Sequence, residues 1–184
     1  MNPMKQAMNL TEPSNANTSG MLRLLVYSTL KRGFWNHDRF CRGVLTVEDA
    51  LVRGRLFETP FGIPVPQVPE EDILAAGSSD PRADVATQAH VTARMSNPEP
   101  TSDRLPWKGT GAPWAPVYGE LLTFDDPETR LPAIDRLEGF HPGGPCLCRR
   151  VLVPVRTNGV ILPSWLYVAD ATGNRSFKPL PSGK

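Results

Sequence analysis

The chain has 184 residues, a length that suits one domain with a single core. Its 40% of hydrophobic residues is enough for such a core, and its formal net charge is only +1. No strong field attracts nucleic acid or an anionic membrane, and no apolar run reaches the roughly 18–20 residues of a membrane span.

The first segment, residues 1–20, is polar and rich in Asn, Ser and Thr. It lacks the apolar stretch of a signal peptide, and we interpret it as a disordered N-terminal tail. The three cysteines are Cys41, Cys146 and Cys148. An odd number without a secretion signal favours a reducing, cytoplasmic location without a disulfide framework. Cys146-x-Cys148 lacks the C-x-x-C spacing of zinc sites, so no metal is predicted.

Two strands are predicted in the next region. Residues 22–26 form a compact apolar run that leads into a turn, and residues 51–57 alternate between apolar and charged side chains. Gly54 lies inside the second of these runs. A glycine within a strand predicts a bulge or a close backbone approach.

A Pro-rich stretch follows, and residues 58–116 hold half of the chain's 20 prolines. Segments with prolines this frequent rarely form a helix or strand of the hydrophobic core. We therefore interpret residues 68–115 as a long insertion, with at most a short helix near 70–76 or 82–95. Trp107 and Trp114 would pin its end to the domain. A loop of this length is either a lid or a surface decoration.

Regular structure returns after the insertion. Residues 117–124, 150–155 and 160–168 read as strands, and Asn158-Gly159 between the last two is a strong hairpin signal. Several strands with one or two helices predict an α+β domain, a small mixed β-barrel with a few short helices. Residues 171–184 are interpreted as an irregular C-terminal tail.

A helix is predicted after the strand at 117–124. Asp126 would cap it and Pro127 would occupy its first position. Leu131, Ile134 and Leu137 recur every three residues and form one apolar stripe. The pattern also contains Pro132, which would kink or restart the helix, and Gly139 would end it.

The turn after the first strand is one candidate site. Residues 27–33 combine two hydroxyl side chains, Ser28 and Thr29, with Gly33. Backbone amides in such a turn can form an anion-binding nest. The alternative is an ordinary connection between a strand and a loop.

The second candidate is Glu138, at the end of the predicted helix and beside its apolar stripe. Partial desolvation would raise the pKa of this carboxyl toward neutrality, which suits proton transfer. The alternative is an exposed acid beside a capping glycine. Asp135 could pair with Glu138, but we expect a solvated surface residue.

Together the two candidates resemble the γ-glutamylcyclotransferase-like superfamily, which includes AIG2-like proteins and γ-glutamylamine cyclotransferase. Tyr27-Ser-Thr-Leu-Lys-Arg-Gly33 is similar to its Y-G-[ST]-L-x-x-G turn, and Asn36-His37 extends the match to the γ-glutamylamine branch. Residues 117–122 look like its G-E-[LV] strand, residues 134–139 like its L-D-x-x-E-G segment, and residues 164–168 like its closing aromatic strand. The order agrees over residues 22–170, so a domain over 21–170 is expected.

This resemblance implies a fold and an activity. Family members cyclise a γ-glutamyl amine or amide to 5-oxoproline and release the free amine. They need no cofactor, because the substrate's own α-amino group is the nucleophile. The expected partner is a small γ-glutamyl molecule, with no nucleic acid and no membrane, and the oligomeric state stays open. The resemblance assigns the acid/base role to Glu138 and substrate binding to Tyr27, Ser28, Thr29, Leu30, Gly33, Tyr118 and Tyr167.

Two departures from the family pattern keep alternatives open. Ser28 replaces the usual glycine, and a left-handed backbone there would add strain of about 1 kcal/mol. Cys148 stands where the family has an aromatic residue two positions before an arginine. These features favour a non-catalytic ligand-binding protein on the same fold. Two further alternatives are another ring-closing or amide-cleaving enzyme and a partner-binding module that uses the Pro-rich insertion.

Overall fold

The computed structural model describes residues 20–96, 114–144, 146, 148–169 and 177–181. Within these ranges the α-helices are α1 (Trp35–Phe40), α2 (Pro81–Ser96) and α3 (Pro127–Glu138), and a 3-10 turn covers Glu70–Asp72. The strands are β1 (Leu22–Val26), β2 (Thr46–Glu58), β3 (Pro64–Gln67), β4 (Ala75–Ala76), β5 (Ala115–Phe124), β6 (Cys148–Thr157), β7 (Val160–Ala169) and β8 (Lys178–Leu180).

Five of the strands close into a barrel. β2 pairs with β5, β5 with β1, β1 with β7, β7 with β6, and β6 returns to β2. All of these pairs are antiparallel except β1 with β7, which is parallel. β3 and β8 extend the sheet from β2, and β4 pairs with β6. The predicted α+β class with a small mixed barrel is therefore confirmed.

Two apolar clusters lie on opposite faces of the barrel wall, because successive side chains of a strand point to opposite faces. One contains residues of all five barrel strands, including Leu25, Val52, Val117, Val153 and Leu166, and fills the interior. The other combines outward-facing strand residues with the helices. Its members include Leu24, Phe124, Val85, Leu131 and Trp165.

Helix α2 contributes more to the hydrophobic core than the sequence predicted. Its residue Val85 joins the outer cluster. Its Gln88 is buried, accepts a bond from the Arg23 amide at 2.9 Å and donates to the Met21 carbonyl at 2.8 Å. The prediction that this Pro-rich stretch stays out of the core is wrong for α2. Its proline, Pro81, occupies the first helical position, where no hydrogen bond is lost.

Part of the insertion and residues 1–19 of the N-terminal tail lie outside the described residues, as does Trp107. The C-terminal tail is described at 177–181, where Lys178–Leu180 forms β8 and pairs with β2. The prediction that residues 171–184 are irregular is therefore wrong for this strand. At the far end of the insertion, the Arg55 guanidinium carbon lies 4.8 Å from the ring centre of Trp114. Trp114 therefore contacts β2, in agreement with the anchoring role predicted for it.

Local turn signals are confirmed. Asn158 and Gly159 have φ of 47° and 80° and join β6 to β7, as a tight hairpin requires. Gly139 ends α3 in the left-handed conformation. The helix contains Pro132 and is assigned as one element. A side chain on Gly54 would come within 2.6 Å of the Gln67 carbonyl, which is the close approach that its position predicted.

No helix in the described part of the chain combines the length and the apolar character needed to cross a membrane. Over the same residues, no group of three or more His, Cys, Asp or Glu side chains is arranged to hold a metal ion.

Candidate functional site

The candidate turn follows directly from the last residue of β1. Val26 pairs with Glu120 of β5, and the neighbouring Gly119 lies so close that a side chain there would overlap the Val26 carbonyl oxygen. Only glycine allows this approach. Continuing the register places Tyr118 opposite Ser28, beyond the end of β1, and the Tyr118 side chain is exposed.

A buried carboxylate holds the turn against β5. The Ser28 carbonyl accepts a bond from the Lys31 amide at 3.0 Å, which closes the turn itself. Glu120 then accepts the Arg32 backbone amide at 2.8 Å and the Arg32 Nε at 2.9 Å. Sequence reasoning placed Glu120 only within a strand motif. The structure gives it the task of anchoring the turn.

Helix α1 holds the other side of the turn. The Asn36 side-chain amide donates to the Thr29 hydroxyl at 2.8 Å, and the ring nitrogen Nδ1 of His37 lies 2.8 Å from the Leu30 carbonyl. Gly33 has a φ of 87°, which permits the sharp reversal into α1. Asn36 and His37 extended the sequence resemblance. Their side chains therefore contact the turn that precedes them in the sequence.

Three successive amides of the turn remain available. In the described residues, the backbone amides of Ser28, Thr29 and Leu30 donate no hydrogen bond to a protein acceptor. Consecutive amides of this kind can bind an anion. Among the described non-glycine residues only Asn158 has a positive φ. Ser28 therefore does not carry the left-handed strain considered from the sequence.

The end of α3 carries Glu138 on the face that meets the barrel. Leu131 and Ile134 are fully buried, whereas Leu137 is 36% exposed. The prediction that Leu137 continues the apolar stripe is wrong. With 3.6 residues per turn, position 138 follows 131 and 134 on one face and position 137 turns away. Glu138, which is partly buried, takes the last place of the stripe.

The carboxyl of Glu138 has an unusual electrostatic environment. Burial raises its pKa to about 7, and within the described residues it has no hydrogen-bond or ion-pair partner. Burial, with the negative charges of Glu138 and Cys148, raises the pKa of Tyr27 well above its usual range. The charges of Glu138 and Cys148 therefore act on Tyr27, the first residue of the turn.

The neighbouring Asp135 is not the solvated surface residue that we expected. It accepts a hydrogen bond from the Tyr167 hydroxyl at 2.6 Å and forms an ion pair with buried Arg150. Position 135 is one turn after Leu131 and so shares its buried face. Tyr167 is itself buried, and burial together with Asp135 raises the pKa of its hydroxyl. That hydroxyl is engaged by Asp135, whereas the sequence assigned it to a substrate cavity.

A cavity of about 170 Å³ lies at the end of the barrel where β1 stops. Its walls are the ends of β3, β6 and β7 together with Glu70 and Trp114. Among them are Val68 and Val168, which belong to the same interior cluster that Tyr27 packs against. Its polar rim includes Arg149, whose Nη2 lies 2.8 Å from Glu70.

The match to a protein family decides the identity of the fold. The family model for gamma-glutamyl cyclotransferase, AIG2-like, matches residues 82–184, which is more than half of the chain. The chain belongs to this family. The matched range of this AIG2-like chain includes Glu138 and Asp135, whereas the turn at 27–33 lies outside it. The resemblance proposed from the sequence is confirmed.

Two solved structures are similar to this AIG2-like chain. An AIG2-like protein from Mus musculus shares 17% identity, with 89% of this chain and 88% of that chain covered and a TM-score of 0.49. YkqA from Bacillus subtilis shares 18% identity over 87% of this chain, with a TM-score of 0.47, and the match spans 38% of YkqA. No curated protein sequence matches the chain.

Proposed function

We propose that this chain is a γ-glutamylcyclotransferase-type enzyme that converts a γ-glutamyl amine or amide to 5-oxoproline and the free amine. The observation that carries the proposal is the state of Glu138. It is a partly buried carboxyl with a pKa of about 7 and no hydrogen-bond or ion-pair partner in the described residues. Its charge acts on Tyr27, the first residue of the turn that has three unused amides.

The chemistry needs little from the protein. The substrate's α-amino nitrogen attacks its own γ-carbonyl carbon, forming the new C–N bond of a five-membered ring, and the carbonyl electrons move to oxygen. Collapse of this intermediate breaks the bond to the leaving nitrogen. Because nucleophile and electrophile belong to one molecule, proximity supplies much of the rate.

We assign the proton transfer to Glu138. Its ionised form takes a proton from the attacking nitrogen and then gives it to the leaving nitrogen, so that the carboxylate is regenerated. A pKa near 7 suits both halves of this cycle at neutral pH. We assign to the Tyr27 hydroxyl, kept protonated by its raised pKa, a hydrogen bond donated to the substrate.

We assign substrate binding to the turn. The amides of Ser28, Thr29 and Leu30 bind the substrate carboxylate or the developing oxyanion. Gly33 shapes the reversal of the turn, and exposed Tyr118 lies at its rim. Tyr167 contributes indirectly, since its hydroxyl is engaged by Asp135.

The cavity at the barrel end is our candidate for the amine half of the substrate. A cavity of about 150 Å³ in another protein admits benzene, so a space of about 170 Å³ accepts a leaving group of that size. Cys148, smaller than the aromatic residue of the family pattern, leaves room for a substrate different from that of other members.

The test is formation of 5-oxoproline from a panel of γ-glutamyl amines and amides with leaving groups of increasing size, measured by mass spectrometry. Glu138→Gln should reduce kcat/KM by about 100-fold or more. Glu128→Gln is the matched control, since Glu128 lies on the same helix, is exposed and pairs with Arg82. The wild-type kcat/KM should rise with pH up to about 7 and then level off, because the base must be ionised.

The alternative is a non-catalytic ligand-binding protein, which the replacement of the family's aromatic residue by Cys148 supports. In that case γ-glutamyl compounds raise the melting temperature without forming product. Full activity in Glu138→Gln would remove this residue from the mechanism.

A further inference from the structure

The guanidinium of Arg150 lies at the centre of a buried cluster outside the reacting groups. Its side chain is 0% exposed and forms ion pairs with Asp84 through Nη2 and Asp135 through Nη1. The Ser78 carbonyl accepts a further bond from Nη2 at 2.8 Å. The guanidinium carbon also lies 4.9 Å from the ring centre of Phe140 and 5.6 Å from that of Trp165.

The cluster joins parts of the chain that are distant in sequence. Asp84 belongs to α2, Asp135 to α3, and Arg150 to β6. The Asp84 carboxylate is fixed on its other side as well, since it accepts the Ser78 amide at 3.1 Å and the Ser78 hydroxyl at 2.9 Å. A carboxylate with this many partners has one orientation, and so does the guanidinium that it holds.

The residues just before and just after Glu138 in the chain contact this cluster. The Asp135 carbonyl accepts the amides of Gly139 and Phe140, the latter at 2.9 Å, while the Asp135 carboxylate holds Arg150. On the other side, the Phe140 ring packs on the same guanidinium and lies 6.4 Å from the Tyr167 ring. The backbone that carries Glu138 is therefore fixed just before and just after it.

We propose that Asp84 is a positioning residue for Glu138, acting through Arg150 and Asp135 to hold the end of α3 against the turn. The proposal rests on the proposed proton-transfer role of Glu138. Helix α2 lies in the segment that the sequence predicts to be an insertion. It would thus support the candidate site without contacting it.

The cluster also controls how far solvent reaches Glu138, because it fixes the end of α3. Burial is what raises the pKa of the Glu138 carboxyl to about 7. Tyr27 on the turn is affected by the charges of Glu138 and of Cys148 on β6, and Tyr167 donates a neutral hydroxyl to Asp135. Asp84→Asn loosens the helix end and admits water to Glu138, so the Glu138 pKa should fall toward 4.5.

The experiment compares Asp84→Asn with Glu128→Gln in the full chain. Both changes remove one ionic contact of α2, that of Asp84 with Arg150 on β6 or that of Arg82 with Glu128 on α3. The Arg82–Glu128 pair is exposed and lies at the opposite end of α3. Asp84→Asn should lower kcat by about tenfold to 100-fold, as expected for a misplaced proton carrier. Its KM should stay close to that of the wild type, and Glu128→Gln should match the wild type in both constants.

A carbon-13 NMR titration of the Glu138 carboxyl measures the same effect without turnover. We expect a lower Glu138 pKa in Asp84→Asn and an unchanged one in Glu128→Gln. If the wild-type protein forms no 5-oxoproline, the proposed function fails, and this titration alone decides whether Asp84 controls Glu138.

Should Asp84→Asn not fold, Tyr167→Phe replaces it in the kinetic test. It removes one donor to Asp135 and keeps the ring, so kcat should fall with KM unchanged. Three results would overturn the proposal. The first is a folded Asp84→Asn variant with unchanged kcat and an unchanged Glu138 pKa. The others are an equal loss of kcat in Glu128→Gln, and a rise in the KM of Asp84→Asn without a fall in its kcat.

Discussion

The two halves of the candidate site are held in different ways. The turn after β1 is held by neighbours close in sequence and by one carboxylate, since Asn36 lies seven residues from Thr29 and His37 seven residues from Leu30. The end of α3 is held by a buried guanidinium whose partner Asp84 is 66 residues away. The turn keeps its amides available, whereas the helix end keeps a carboxyl unpaired.

This difference indicates a division of work. A binding turn can stay near solvent, because amides bind an anion by direct contact and adapt by small movements. A proton carrier needs a fixed position and a dry environment, since desolvation is what raises the pKa of Glu138. The fold provides that environment through long-range buried contacts. We therefore expect the two halves to differ in stability and in how strongly solvent reaches their charged groups.

The largest expected effect is the loss of Arg150. Arg150→Met leaves Asp84 and Asp135 buried without their counter-ion, which should lower the free energy of unfolding by about 3–5 kcal/mol. The matched change in the turn is Arg32→Met. Arg32 pairs with Glu120, but its side chain is 54% exposed, so its ion pair should contribute about 0–1 kcal/mol. Urea denaturation measures both, and equal losses would contradict the comparison.

The next effect concerns pH. In the folded chain the pKa of Glu138 rises from 4.5 to about 7, so the folded state binds more protons than the unfolded state between these values. The contribution of Glu138 to stability is therefore complete below about pH 4.5 and is lost as pH rises through about 7. The decline should reach about 3 kcal/mol at most.

Glu138→Gln cannot ionise and should lack this decline. Urea denaturation at a series of pH values gives the free energy of unfolding of both proteins. The difference between them should change across the window from about pH 4.5 to about pH 7. Parallel curves would show that the carboxyl is solvated and that the helix end is no drier than the turn.

A smaller effect is expected on the side of the turn. Gly119→Ala places a methyl group against the Val26 carbonyl at the end of β1, which should lower stability by about 1–3 kcal/mol through overpacking. Gly144→Ala is the control, because its added carbon lies no closer than 3.8 Å to another atom. Substrate affinity should weaken only in Gly119→Ala. Equal melting temperatures in the two variants would exclude a tight contact at this position.

Much of the fold could be predicted from local signals. The apolar run of β1, the Asn158-Gly159 hairpin and the glycine that ends α3 each act within a few residues, and the structure confirms them. The resemblance of the 27–33 turn and of the Glu138 segment then identified the family. These features depend on backbone geometry, which short sequence patterns encode directly.

The contacts that hold Glu138 could not be predicted in the same way. Nothing around Asp84 distinguishes it from a solvated acid, because its partner Arg150 lies on another element. The sequence alone predicts a surface position for Asp135 for the same reason. The error at Leu137 has a different cause. A constant spacing of three continues from Leu131 and Ile134 to Leu137. The helical period of 3.6 residues instead places position 138 on the buried face, and Leu137 is exposed.

The parallel pair of β1 and β7 affects how the chain folds. Leu24 lies beside Trp165, so the barrel closes through residues from opposite ends of the described domain. Contacts between such distant residues form slowly, because a long loop must be ordered first. During synthesis, a ribosome-bound chain that has not yet released β7 has all the residues of the turn and Glu138 but no closed barrel to support them. We expect such nascent chains to be protease-sensitive until the last barrel strand emerges.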